Sequence, residues 1–379
     1  MSCLDEKPQT VAEAPTQATI DLPEGVPPLG SIYLYASGGC NLACRHCWIT
    51  PSFDPEGRDV DHIKLDYVRK AIDEGRSLGL SAFKLTGGEP MLHPQFRELV
   101  EIINDAGLSI TIETNGTFVD GDMAKFLKSK EKMRFISVSL DGATAEMHEY
   151  MRGVEGCFDR AVNGIKNLVE VGYRPQVICT LHKGNIGQVD DLVAFAESIG
   201  AGSVKFNHVQ LVGRGEGFHR DHGLQISDII ELNGHLNREL RPKAKISIFL
   251  DIPFAFRTIR ELSRGNLGTC GVLTILGMLA DGKLALCGIG VTVPELVYGH
   301  IAYDDLRDVW CDSPGLKLLR DLIPLKLEGI CGDCLHRDMC RGECVANNFH
   351  VAGRLNAPYF FCDIASKAGI FPASRTRSA

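Results

Sequence analysis

The chain has 379 residues, 44% apolar and 23% charged, with 40 Lys and Arg against 48 Asp and Glu and a formal net charge of -8. That length suits two or three domains with a sizeable core, and the acidic balance argues against a nucleic-acid partner, whose phosphates are met by clustered Lys and Arg. No apolar run approaches the roughly 18 residues of a membrane span and no apolar signal region opens the chain, so a cytoplasmic protein without a membrane partner is expected. Residues 1–28 are rich in Pro, Thr and Glu, lack period and read as a disordered tail. From residue 31 the pattern alternates. Strands are expected at 31–36, 82–86, 108–116, 135–142, 174–182 and 203–211, and helices at 61–79, 94–107, 158–172 and 187–200. Such alternation implies right-handed βαβ units on a parallel sheet. The fold class is α/β, with an incomplete TIM-like (β/α)6 barrel over 29–220 and function at the carboxyl ends of its strands. Residues 221–264 hold a connecting helix and strand, and 265–379 form a Cys- and Gly-rich C-terminal domain that bound metal would staple.

Fourteen cysteines are too many for chance and, in a reducing compartment, poor candidates for disulfides. Cys40, Cys44 and Cys47 follow the first strand at x3 and x2 spacing. Three thiolates so spaced can each hold one corner of a cubane [4Fe–4S] cluster, leaving the fourth iron open. A zinc site completed by His46 or His62 is the structural alternative. Cys157 and Cys179 read as small core residues, and Trp48 as packing.

One motif follows each strand in turn. Thr86-Gly87-Gly88-Glu89-Pro90 follows the second, Glu113-Thr114-Asn115-Gly116 the third, and Ser139-Leu140-Asp141-Gly142 the fourth, with Arg152-Gly153 beyond. With the cysteine triad, this ordered set over residues 31–215 resembles the radical S-adenosylmethionine (SAM) superfamily. The resemblance implies that Cys40, Cys44 and Cys47 hold a SAM-binding cluster. It also implies SAM contacts from His46 (against adenine), Gly87, Gly88 and Glu89 (toward the methionine ammonium), Asn115, Ser139, Asp141, and Arg152 toward the methionine carboxylate. Asn207 and Arg214 are weaker candidates to face SAM.

The last third carries Cys270, Cys287, Cys331-x2-Cys334-x5-Cys340-x3-Cys344 and Cys362. This run is similar to the seven-cysteine SPASM extension of that superfamily. The similarity implies two auxiliary clusters, one on Cys270, Cys287 and Cys344 and one on Cys331, Cys334, Cys340 and Cys362, making three [4Fe–4S] clusters in all. The fourth ligand of the first set is open between Cys311, a non-cysteine group and none. Tyr359 to Phe361 would shield a cluster from water.

The resemblance implies a radical oxidoreductase that forms a 5′-deoxyadenosyl radical. Its expected substrate is a peptide or protein, as in thioether or carbon–carbon crosslinking of ribosomal peptides. An electron donor such as flavodoxin or ferredoxin is implied, and the short tail before the barrel predicts a separate leader-binding protein. A sulfatase-maturing enzyme is the runner-up, disfavoured because Gly288 stands where that type carries an acidic residue after its cysteine. A small-molecule, cofactor-biosynthesis or haem-pathway enzyme is a third candidate. A zinc-stabilised binding module on a degenerate barrel is the candidate that is not an enzyme.

Overall fold

A computed structural model describes residues 20–263 and 270–377. The six expected strands form, as β1 (Ser31–Ser37), β2 (Ala82–Gly87), β3 (Ser109–Thr114), β4 (Met133–Ser139), β5 (Gln176–Leu181) and β6 (Ser203–His208). They pair in chain order and in parallel, with Leu34 beside Leu85 and Leu85 beside Ile112. Alternate residues of these strands build the core. Ile32, Leu34, Phe83, Leu85, Ile110, Ile112, Val138, Val177, Val204 and Phe206 are fully buried against the helices. Each such side chain contributes about 1.5–3 kcal/mol over leaving it in water. The intervening residues are polar and face the other way; there Lys84 Nζ lies 2.6 Å from Glu113 Oε1.

The sequence pattern recovers α1 (Leu65–Gly75) and α2 (Phe96–Asp105), but α1 starts four residues late. Its expected first turn instead runs beside the end of β1, where Ile63 N donates to Ala36 O and His62 bridges Ser37. Two helices escaped the periodicity, α3 (Gly121–Lys128) and α4 (Ala145–Arg152). They are followed by α5 (Cys157–Glu170) and α6 (Val189–Ser198), both expected, and by α7 (Arg214–His222), which was not.

The connecting segment supplies α8 (Ile226–His235) and β7 (Ser247–Leu250), which joins the sheet in parallel beside β6. From the Cys-rich region, β8 (Ile275–Met278) lies parallel to β1 on its other side, and β9 (Lys283–Ala285) and β10 (Val297–His300) follow antiparallel. The result is one ten-stranded sheet in the order β10-β9-β8-β1-β2-β3-β4-β5-β6-β7. The C-terminal region thus extends the barrel sheet as well as following it in sequence. Residues 1–19 of the expected tail lie outside the described residues; in its remainder Leu22 and Val26 pack on the core and Trp310 Nε1 donates to Pro27 O. Among the described residues no helix is long and apolar enough to cross a membrane.

Candidate functional site

The loop after β1 carries Cys40, Cys44 and Cys47, and backbone bonds fix it from both sides. Ala43 N and Arg45 N donate to Arg152 O and Met151 O at the end of α4. Arg214 donates from N to Cys47 O and from Nε to Cys44 O, 3.0 and 2.9 Å, at the start of α7. Arg214, a candidate to face SAM, thereby clamps the cysteine loop. Cys40 and Cys44 are buried together with Leu42 and Cys157, and Cys47 packs half-buried beside them. Burial, then each other's charge, pushes the Cys40 thiol up; Cys44 is pushed up by burial against the pull of Arg152. Buried thiols such as Cys40 and Cys44 give up their protons when positive charge arrives beside them, which is what a bound iron cluster supplies.

Gly87 and Gly88 end β2 where it crosses the start of this loop. Gly88 N donates to Ser37 O and Glu89 N to Gly39 O. A Cβ on Gly88 would stand 1.8 Å from Gly39 O, so glycine here is demanded by the approach of two backbones. Glu89 is fully buried. Its Oε1 accepts from Thr114 Oγ1 (2.8 Å) and Met91 N (3.1 Å), its Oε2 from Asn115 N (2.8 Å). Burial outweighs these bonds and the charge of Arg152 and pushes its carboxyl up to about 7, and among the described residues no cation pairs with it within 4.0 Å. Asn115 Nδ2 donates to Asn41 Oδ1 (2.7 Å) and toward Cys40 Sγ (3.9 Å), joining the end of β3 to the cysteine loop.

Beyond β4, Asp141 is wholly buried. Arg152 Nε lies 2.7 Å from its Oδ2, and Thr180 N donates to its Oδ1. Burial alone would raise the Asp141 carboxyl; Arg152, with His46 and His148, holds it below the ordinary carboxylate range. Arg152 Nη1 also donates to Cys44 Sγ at 3.6 Å. Asp141 shows no surface to the site and acts on it through Arg152 and His46, whose Nε2 is 4.0 Å away. Burial pushes His46 down to about 4, so it is a neutral ring near pH 7. Ser139, half-buried at the end of β4, has no side-chain partner among the described residues. His46 Nδ1, Asn207 Oδ1, Gln210 Oε1 and Arg214 Nη2 are buried atoms without a partner at the same strand ends. Such atoms call for a bound polar group.

The C-terminal cysteines lie in two neighbourhoods. Cys331, Cys334, Cys340 and Cys362 line one small cavity, walled by Pro253, Phe254, Leu327 and Phe371. Cys344, after burial, is raised most by Cys270 and Cys287. The crossing has a backbone cause. Arg341, Gly342 and Glu343 all take left-handed φ (57°, 80° and 59°), reversing the chain so that Cys340 faces one set and Cys344 the other. Two of these are not glycine, a strain of order 1–3 kcal/mol each that surrounding contacts must hold. Cys311 lies in the helix Leu306–Asp312 beside Trp310, its thiol pushed up by burial against the pull of Arg307. Tyr359 N donates to Cys331 Sγ and its hydroxyl meets His208 Nε2 at 2.6 Å, tying the cavity to the end of β6. All described cysteines are free thiols, and among the described residues no group of three or more His, Cys, Asp and Glu is set to hold a single ion. A cubane is held differently, by one thiolate at each iron corner, and thiols are the donors that chemistry uses.

Gly288, after Cys287, is explained by Tyr35 of β1. Tyr35 Oη accepts from Gly288 N at 2.7 Å, and a Cβ there would lie 2.3 Å from the ring. Gly288→Asp is expected to expel Tyr35 and cost about 1–3 kcal/mol, as overpacking does, measured as a lowered urea midpoint; an unchanged midpoint would refute the fit.

Residues 34–197 match the Radical SAM superfamily model. The chain is 29% identical to an AdoMet-dependent heme synthase of Methanosarcina barkeri, over 84% of this chain and 91% of that protein. It is 29% identical to the mycofactocin maturase MftC of Mycobacterium ulcerans, over 84% of each. The fold is similar to Streptococcus suis SuiB bound to precursor peptide SuiA, with TM-score 0.68 and 18% identity over 88% of this chain and 75% of that one.

Proposed function

We propose that this chain, whose residues 34–197 match the Radical SAM superfamily model, is a radical S-adenosylmethionine enzyme that abstracts hydrogen from a peptide substrate and so modifies a ribosomal peptide. Bound at the triad, a [4Fe–4S] cluster and SAM supply the 5′-deoxyadenosyl radical. The protein's own part is to bind, orient and seal. Cys40, Cys44 and Cys47 would hold the cluster. Glu89, fixed by Thr114, Met91 and Asn115 with no cation of its own, would receive the methionine ammonium. Neutral His46 offers an uncharged face for adenine, and Asp141 sets the pose of Arg152. Ser139 and the rim of Gly87 and Gly88 remain half-open to a ligand. The two C-terminal cysteine sets would carry auxiliary clusters, for three in all, served by an external one-electron donor of the ferredoxin or flavodoxin kind in the cytoplasm.

The observation that carries this reading is the junction of the cysteine triad with a buried carboxylate that has no ion-pair partner, at adjacent strand ends. The likeness to MftC, a maturase by name, favours a peptide substrate. The equal identity to a heme synthase supports a second reading, a tetrapyrrole. Anaerobic incubation of the reconstituted enzyme with SAM, dithionite and either a co-encoded precursor peptide or iron-coproporphyrin separates them: 5′-deoxyadenosine above the substrate-free level, with a mass change in one substrate only, identifies it. A change in neither overturns both.

Glu89→Gln keeps the shape and removes the charge. It is expected to weaken SAM binding about 10- to 100-fold, since hydrogen bonds to charged groups contribute about 1.5–3 kcal/mol. Equilibrium dialysis of labelled SAM measures this; an unchanged affinity would sink the assignment.

A further inference from the structure

The inner face of the sheet holds a second feature, at the opposite end from the cysteine loop. A cavity of about 580 Å³ opens among the amino-terminal halves of β4 to β7. Phe135, Ile248 and Phe249 give it an apolar wall. Its charged lining comprises Arg174, Lys205, Arg241, Arg257, Asp251 and Glu261. Arg241 and Glu261 answer one another at 2.9 Å. The other three cations do not have that. Among the described residues Arg174, Lys205 and Arg257 form no ion pair within 4.0 Å; Arg257 Nε is spent on Ile252 O, and the carboxylates that feel their charge, Glu113 for Lys205 and Glu343 for Arg257, have closer partners. Glu113 is held by Lys84 at 2.6 Å, and Asp251, at the cavity's inner end, faces His208 Nδ1 at 3.6 Å. Four cations against the two carboxylates Asp251 and Glu261, beside an aromatic wall, describe a lining short of negative charge.

The rest of the geometry narrows the ligand. The cavity has neither the glycine loop nor the helix N-terminus with which proteins cradle phosphate. Planar guanidinium groups match carboxylate and phosphate alike, and without a phosphate cradle the lining favours a carboxylate. Its inner end leads toward chemistry: Lys205 and Asn207 lie on the same side of β6, and three residues at about 3.3 Å each span the roughly 10 Å from Lys205 to the strand's end. A molecule anchored in the cavity would extend along the strands toward the cysteine loop.

We propose that this cavity seats a carboxylate of the substrate, with an aromatic or apolar body against Phe135 and Phe249. The proposal rests on the radical SAM reading for the reaction, and deepens it by naming the substrate's chemistry. A peptide carboxylate and a tetrapyrrole carboxylate share that chemistry, so the test has an arm for each. N-acetyl-Phe-Tyr is titrated against its C-terminal amide, and coproporphyrin III against its tetra-amide, by calorimetry on the anaerobically reconstituted enzyme. At least one acid is expected to bind tenfold or more tightly than its amide. Lys205→Met and Arg257→Met should each reduce that preference about tenfold, and Lys205→Arg should keep it. A misfolded variant would lose acid and amide alike, and so is told apart from a lost anion contact. No preference in either arm, or a preference that survives both methionine variants, overturns the proposal. Reductive cleavage of SAM by the unaltered enzyme reads the reaction separately: cleavage without acid preference removes the cavity's role alone, and acid preference without cleavage removes the reaction alone.

Discussion

Changing Cys40, Cys44 and Cys47 together to alanine is expected to remove about four irons per chain, the content of one cubane, and to abolish reductive cleavage of SAM. The fold should survive. The loop is positioned by backbone bonds from Ala43, Arg45 and Arg214 to Arg152, Met151 and Cys47, none of which uses a cysteine sulfur. Arg152 loses its bond to Cys44 Sγ but keeps Asp141 at 2.7 Å. The auxiliary cysteines belong to other elements and should retain their iron. Anaerobic reconstitution with iron and sulfide assays measures the first effect, and 5′-deoxyadenosine after dithionite the second. An iron content equal to that of the unaltered enzyme would mean the triad holds no cluster, and the proposed function would go with it.

The strand ends were legible because each element there is local. A strand is a short apolar run, and Gly87-Gly88-Glu89 or Asn115-Gly116 follows within a few residues. What the sequence hid is non-local or weakly apolar. In α4, only His148, Met151 and Arg152 are buried, so no apolar stripe marks it. Its ends were nonetheless written: Thr144 Oγ1 accepts from Met147 N at the start, and Gly153 closes it in the left-handed conformation. Asp120 marks α3 in the same way. Those caps were the signal that periodicity missed. The role of α4 as a clamp on the cysteine loop depends on contacts more than 100 residues apart in sequence, as between Arg152 and Cys44. So does the docking of β8 beside β1, which no local pattern announces. The reason for Gly288 likewise sits 253 residues away, in Tyr35.

Asp141→Asn should cost about 3–5 kcal/mol of stability, the range for leaving one partner of a buried ion pair alone. Asparagine fits the same space and can still accept from Thr180 N, so packing and the backbone contact are held constant. What changes is charge: Arg152, 7% exposed, is left in the interior without its counter-ion. The loss should not stay local, because Arg152 O and Met151 O are the acceptors that hold Ala43 and Arg45 in the cysteine loop. A double variant tests the cause. Arg152→Met added to Asp141→Asn removes the stranded charge, and replacing both partners of a buried pair is far less costly than removing one. Urea unfolding of the two single variants and the double, closed as a cycle, should return at least half of the lost stability in the double. A single Asp141→Asn variant within 1 kcal/mol of the parent, or a double variant less stable than either single one, would show that the pair does not anchor the end of β4 to the cysteine loop.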